Sequence, residues 1–373
     1  RFLRYLENQG DLDRVLEFLP DEAGLDRRAG EGRGLTSPEF AVLLAYAKIS
    51  LTAQLQHSDL ADLRWFSRAL LGYFPSQLAR YADQLELHPL RREIITTAVV
   101  NDLVNRAGIT FAFRAQEETG AAPAEIARAY TVASEVFGLP HYWTAVESLR
   151  GDVPVKAATA LHLEGRRLVD RTVRWLLQSR RSMLDVPTEI ARFAPVAELT
   201  PLIPDLVRGT EQDRLRRRAA EYEEIGAPAE LALAAAALLD AFSLLDIIEI
   251  ANGCTRAAEQ VASLYFALSE RFEIDRMLTR ITALPRGDRW QSLARSALRY
   301  DLYTALAGLT SDVIAAADEL TFRPDDLIDR WEQTNAEGLA RTRATLTEIA
   351  ATDNWDLAAL SVALRVLRTL VRA

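Results

Sequence analysis

Three aspartates stand where metal chemistry would need them. Asp325 and Asp326 are adjacent and Asp329 follows one helical turn later. On a helix all three can face one cavity and hold magnesium for the chemistry of a diphosphate. Such an all-α enzyme also needs a second metal-binding helix with polar groups at i, i+4 and i+8. Asn101 and Asp102 begin that pattern, but Asn105 and then Ile109 break it. The competing reading is structural. Pro324 opens a helix, and an acidic first turn suits the positive end of its dipole.

The remaining candidates are weaker. Gly30, Gly32 and Gly34 suggest a phosphate loop, but a dinucleotide fingerprint needs a preceding strand and another spacing, and here Asp26-Arg27-Arg28 leads in. His57, His88, His141 and His162 are scattered, none at a metal-ligand spacing. His88-Pro89 reads as a helix lead-in. No Gly-x-Ser-x-Gly elbow occurs. Glu117 and Glu118 end a helix and are expected to be solvated. Asn101 and Asn105 share a helical face and are expected to be a satisfied buried pair that holds neighbouring helices in register. Lysine chemistry has two candidates, Lys48 and Lys156; Lys48 lies within an amphipathic helix and reads as structural or surface. Cys254 is the single cysteine. It excludes an intrachain disulfide, is expected to be an inert buried thiol, and suits a reducing cytosol. The six tryptophans are spread singly, as core anchors are. The residues alone thus assign no catalytic, cofactor-binding or metal-binding position.

The elements that would position any site are helical. The chain of 373 residues is 49% hydrophobic with a net charge of −9, which argues against disorder and against nucleic-acid binding by bulk positive charge. It is rich in alanine and leucine, and no hairpin dipeptide separates alternating runs. The expected fold class is all-α, an irregular multi-helix array without significant sheet. Thr36 with Glu39 has capping-box spacing, while Ser37 before Pro38 is an alternative cap. Residues 89–118 are expected to be the most buried element. Further helices are expected over 123–137, 139–149, 154–181, 210–224, 228–252, 255–271, 273–283, 287–307, 325–352 and 355–372. Arg216-Arg217-Arg218 with Glu221, Glu223 and Glu224 reads as a solvated face. Residues 229–251 contain Glu230, Asp240, Asp246 and Glu249, so they read as a pair of buried alanine-rich helices and not a membrane span. Pro187, Pro195, Pro201 and Pro204 mark a connection with short helices. The expected organisation is a lead-in (1–34), a first helical subdomain (35–184), the proline-rich connection (185–209) and a second helical subdomain (210–373). The chain opens on Arg1 directly into a helical pattern with no visible signal peptide, so a piece of a longer polypeptide is expected.

Several stretches carry a resemblance. They are the run from Gly34 to Lys48 (Gly-Leu-Thr-Ser-Pro-Glu-Phe-Ala-Val-Leu-Leu-Ala-Tyr-Ala-Lys), His88 to Ile95, Val104 to Phe111, Glu117 to Ala121, Ile126 to Tyr130, Trp290 to Arg295, and Asp301-Leu302-Tyr303. Together they resemble the C-terminal portion of the large bacterial NAD-specific glutamate dehydrogenases, the class with very long subunits. The likeness covers essentially the whole chain, most specifically Leu35 to Ala129. Ser37 departs from the arginine expected there. The resemblance implies a parent enzyme that oxidatively deaminates L-glutamate to 2-oxoglutarate and ammonium with NAD as hydride acceptor. It further implies a homotetramer and a catalytic part upstream of this region. Such a region would support the upstream catalytic domain, hold no NAD itself, and work in the cytoplasm with neither nucleic acid nor membrane as partner. The alternatives are a free-standing helical interaction scaffold and the magnesium-dependent diphosphate enzyme built on Asp325, Asp326 and Asp329.

Overall fold

The computed structural model describes residues 1–149, 151–179, 183–285, 287–317, 322–352 and 355–371. These residues form helices and short 3-10 turns, with no strand among them. The chain divides into two compact units. The first is Arg1–Glu135 with Val169–Ala191, and the second is Val136–Leu168 with Arg192–Ala373. The chain therefore passes between them three times: within the helix Pro123–Val136, within the helix Val155–Ser179, and at Ala191–Arg192. Only the last crossing falls in the proline-rich 185–209 stretch, which folds as the short pieces Val186–Arg192, Pro195–Leu199, Thr200–Leu202 and Ile203–Leu206.

In the first unit, Thr36 caps the helix Ser37–Gln56, and the Glu39 carboxylate accepts the Thr36 N–H at 2.7 Å. A hydrogen bond from Arg28, then the one from Thr36, lowers the Glu39 carboxyl to about 2. Leu3, Leu6, Leu12 and Leu19 pack around Leu43 of this helix. The helix rests on Arg91–Ala107, which buries Ile94, Ile95, Val100, Leu103 and Val104. The expected single element over 89–118 breaks at Gly108. There φ is 99° and ψ is 159°, a conformation open to glycine, and the chain restarts as Phe111–Thr119. The deepest run lies in the next helix, Pro123–Val136, where Ile126 through Tyr130 are all buried. This is the alternation-free pattern of a helix surrounded by others.

In the second unit, Ala258–Arg271 plays the central part and buries every residue from Leu264 to Ser269. The alanine-rich segment is two helices, Ala229–Ala241 and Leu244–Gly253, bent by 53°. No single described helix is long and apolar enough to cross a membrane. Arg289–Ala315 runs beyond the expected end at 307, and the expected 325–352 helix is two, Pro324–Thr334 and Ala336–Thr352. Trp143, Trp175 and Trp331 are buried anchors, but Trp290 is 73% exposed.

Close helix approach depends on Gly165, inside Val155–Ser179. A Cβ there would lie 2.7 Å from Trp143 Nε1 and 3.3 Å from the Tyr142 ring. On an exposed helix face Gly→Ala stabilises by about 1 kcal/mol. Here Gly165→Ala should instead destabilise by roughly 1–3 kcal/mol through overpacking, read as a lowered urea midpoint at constant m-value.

Candidate functional site

The aspartate triad does not converge. Asp325 and Asp326 occupy the first turn of Pro324–Thr334. Asp325 pairs with Arg208 at 3.3 Å and Asp329 with Arg271 at 2.8 Å, with side chains 67% and 57% exposed. Asp326 is exposed too. Among the described residues no group of three or more His, Cys, Asp or Glu side chains could hold a metal ion.

Other expected residues also settle outside any site. Asn105 is exposed and Asn101 half-buried, so the expected buried pair is not what joins these helices. The polar link comes one residue later, where the Tyr130 hydroxyl donates to Asp102 at 2.7 Å. Glu117 and Glu118 are not simply solvated. Arg1 donates to Glu117 at 2.5 Å, and Arg174, 12% exposed, donates to Glu118. Arg174 also grips the Asp170 carbonyl at 2.8 Å. Cys254 is half-buried at the end of Leu244–Gly253 and not deep in the core. His57 lies 2.7 Å from the Ala53 carbonyl, and His88 Nδ1 accepts the Leu90 N–H at 3.1 Å, a lead-in. His141 is exposed, while His162 and Lys48 are half-buried. The Gly30–Gly34 stretch follows the helix Glu22–Gly30 and precedes Ser37–Gln56. A strand is what a dinucleotide turn requires, so these glycines do not fit NAD.

The one concentrated polar assembly is in the second unit, on the helix Gly209–Glu224. Glu211, Arg214, Arg218 and Tyr222 recur at three- and four-residue intervals and share a face. Arg216, Arg217, Glu221, Glu223 and Glu224 are exposed, as the charge pattern predicts, but Arg218 turns inward. Arg214 Nε donates to Asp275 at 2.7 Å and its Nη2 to Asp240 at 2.8 Å, with Glu211 at 3.7 Å. Ser269 donates to Glu211 at 3.3 Å. One turn on, Arg218 lies 2.7 Å from Glu164, whose other oxygen accepts the Tyr222 hydroxyl at 2.7 Å. One guanidinium thus ties together Gly209–Glu224, Ala229–Ala241 and Ile274–Ala283, and Ser269 adds Ala258–Arg271.

The electrostatics follow from burial. Glu211, Asp240 and Asp275 are each at least nine-tenths covered, and Glu164 is 1% exposed. Desolvation, then the neighbouring Asp240, pushes the Glu211 carboxyl from its ordinary 4.5 up to about 8. Burial also raises Asp240 against the pull of Arg214. Burial opposes the Arg214 charge, but Asp240 and Asp275 outweigh it and hold its pKa up. A proton retained on Glu211 therefore relieves three carboxylates gathered on one arginine. Sequence reading missed this cluster. The available signal was Asp240 itself, an acid in an otherwise apolar alanine helix, which requires an inward cation.

Between about pH 4.5 and 8 the folded chain holds a Glu211 proton that the unfolded chain releases. Stability should therefore decline as pH rises through that window and level off above it. Chemical denaturation across pH should show Glu211→Gln abolishing this slope. Arg214→Met leaves Asp240 and Asp275 buried without their cation and should cost about 3–5 kcal/mol.

With the geometry in place, comparison with known proteins gives a consistent result. The sequence profile described as "Glutamate dehydrogenase, C-terminal" matches residues 32–369. The NAD-specific glutamate dehydrogenase of Mycobacterium tuberculosis is 41% identical over 372 residues, which is 99% of this chain and 23% of that protein. The enzyme of the same name from Pseudomonas aeruginosa is 36% identical over 378 residues, covering 100% of this chain and 23% of its own length. That from Halomonas elongata is 35% identical over 369 residues, 98% of this chain and 23% of its own. The chain thus spans about a quarter of the length of the curated relatives it matches. A profile match over nearly its whole extent, on an all-helical fold, means that this chain belongs to the family of glutamate dehydrogenase C-terminal regions.

Proposed function

We propose that this chain is the C-terminal helical region of a long-subunit, NAD-dependent glutamate dehydrogenase, and that it acts as a structural support for the catalytic part of the same polypeptide. The parent reaction converts L-glutamate, NAD⁺ and water to 2-oxoglutarate, ammonium, NADH and a proton. The observation that carries this reading is the similarity along 99% of the chain to a protein of that name. The structure adds support of a different kind. The most concentrated buried charges, around Arg214, are spent on one another and bind helices together. Ile126 through Tyr130, part of the most family-like stretch, are buried and serve packing.

In this reading the chain supplies no catalytic, metal or NAD-binding residue, and the nicotinamide is held elsewhere in the polypeptide. Assembly into a homotetramer and a place in the cytoplasm, where NAD is available, belong to the same proposal. The single cysteine agrees with a reducing compartment.

The test is direct. The full polypeptide containing this chain should produce NADH from glutamate and NAD, and the chain alone should produce none. Turnover by the chain alone overturns the reading. The triple change Asp325→Asn, Asp326→Asn, Asp329→Asn should leave the full polypeptide's turnover unchanged. Loss of activity restored by added magnesium would instead favour the diphosphate-type site. A free-standing scaffold would show itself as a polypeptide without glutamate-dependent NADH formation.

A further inference from the structure

The first unit displays a platform that its own chain leaves uncovered. Of residues 71–93, all described, none is buried. This stretch is far from polar. Leu71, Tyr73, Tyr81, Leu87 and Leu90 are 43%, 65%, 40%, 83% and 56% exposed. Single exposed apolar residues are ordinary, but a sustained run of them marks a surface that meets something.

The platform is held firmly in place. At its end, Arg91 donates to the Ala61 carbonyl at 2.5 Å, to Ser67 Oγ at 2.8 Å and to Glu86 at 2.7 Å. Arg92 donates to the carbonyls of Gln56 and Ser58 at 3.1 and 2.7 Å and to Asp62 at 2.7 Å. Between the ends, Phe74 stacks with Tyr73 at 5.3 Å and with His88 at 5.5 Å. Two adjacent arginines and an aromatic stack therefore fix the backbone while the large side chains point outward. A pre-ordered apolar surface loses little conformational freedom on docking.

We infer that residues 71–93 are the docking surface for the remainder of the longer polypeptide, which meets them with an apolar face. This rests on the reading proposed above. The argument for that occupant is length. The matched relatives carry more than three times as much chain again as this one spans, and a subunit of that size needs a fixed apolar seam to hold its parts together.

The experiment uses the full polypeptide. Hydroxyl-radical footprinting should label Tyr73 and Tyr81 as weakly as the buried Tyr130, and a photo-crosslinker at Leu87 should join this segment to residues outside the 373 of this chain, within the same polypeptide. Labelling of Tyr73 and Tyr81 at the rate of free tyrosine overturns the inference. So does a crosslink from Leu87 to a second copy, distinguished by mixing isotope-labelled and unlabelled protein. The double change Tyr73→Glu and Leu87→Glu should restore full labelling of Tyr81 without unfolding, monitored by continued protection of Tyr130. Glutamate-dependent NADH formation is measured on the same sample. Protected tyrosines in an inactive polypeptide would sink the enzymatic reading alone, and exposed tyrosines in an active one would sink the docking surface alone.

Discussion

The second unit is organised by the requirement that a charge taken out of water must meet its opposite. Arg214 reaches Asp275 through Nε and Asp240 through Nη2, with Glu211 close by. A buried ion pair of this kind is a weak source of stability against an apolar substitute, but a strong penalty on any arrangement that separates its members. It therefore selects among the ways in which alanine-rich helices could slide past each other. Smooth helices such as Ala229–Ala241 offer few knobs to fix register, and Asp240 supplies a directional one. The first unit uses the same device at Arg128, 1% exposed, which reaches Asp59 at 2.5 Å.

The helical class was legible from composition and apolar spacing, and so was the cap at Thr36 and Glu39, because these signals are local. Breaks were less legible. Gly108 splits an apolar run that reads as continuous, since its positive φ expresses a tertiary need that periodicity does not encode. Pairing was least legible. Arg214 and Asp275 are 61 residues apart in the chain, and a basic helix face followed by acids looks solvated until its neighbours are known. Arg216 and Arg217 follow the simple reading while Arg218 departs from it. Asn101 and Asn105 show the opposite error. Spacing put them on one face, and the neighbouring Asp102 took the structural role.

The same contrast separates fold from function. Groups that could do chemistry are present, but geometry disperses them. Asp325 and Asp329 each go to a different arginine on the surface, and the Glu211 carboxyl, whose proton affinity suits acid–base work near neutrality, is enclosed among helices. A tuned acidity alone is not a catalytic site, because proton transfer needs a reacting group within hydrogen-bond reach.

The threefold passage of the chain between its two units has a consequence for how the molecule is made. Residues 1–135 emerge from the ribosome first, yet the unit they belong to is finished only when residues 169–191 follow. Those late residues bring Arg174, which clasps Glu118, and Asp170, which meets Arg114 at 3.2 Å. A nascent chain halted anywhere before them leaves these acceptors and donors open to water and the packing around them unfinished. Neither unit is a contiguous gene segment, so recombination that swaps one whole stretch for another would sever both.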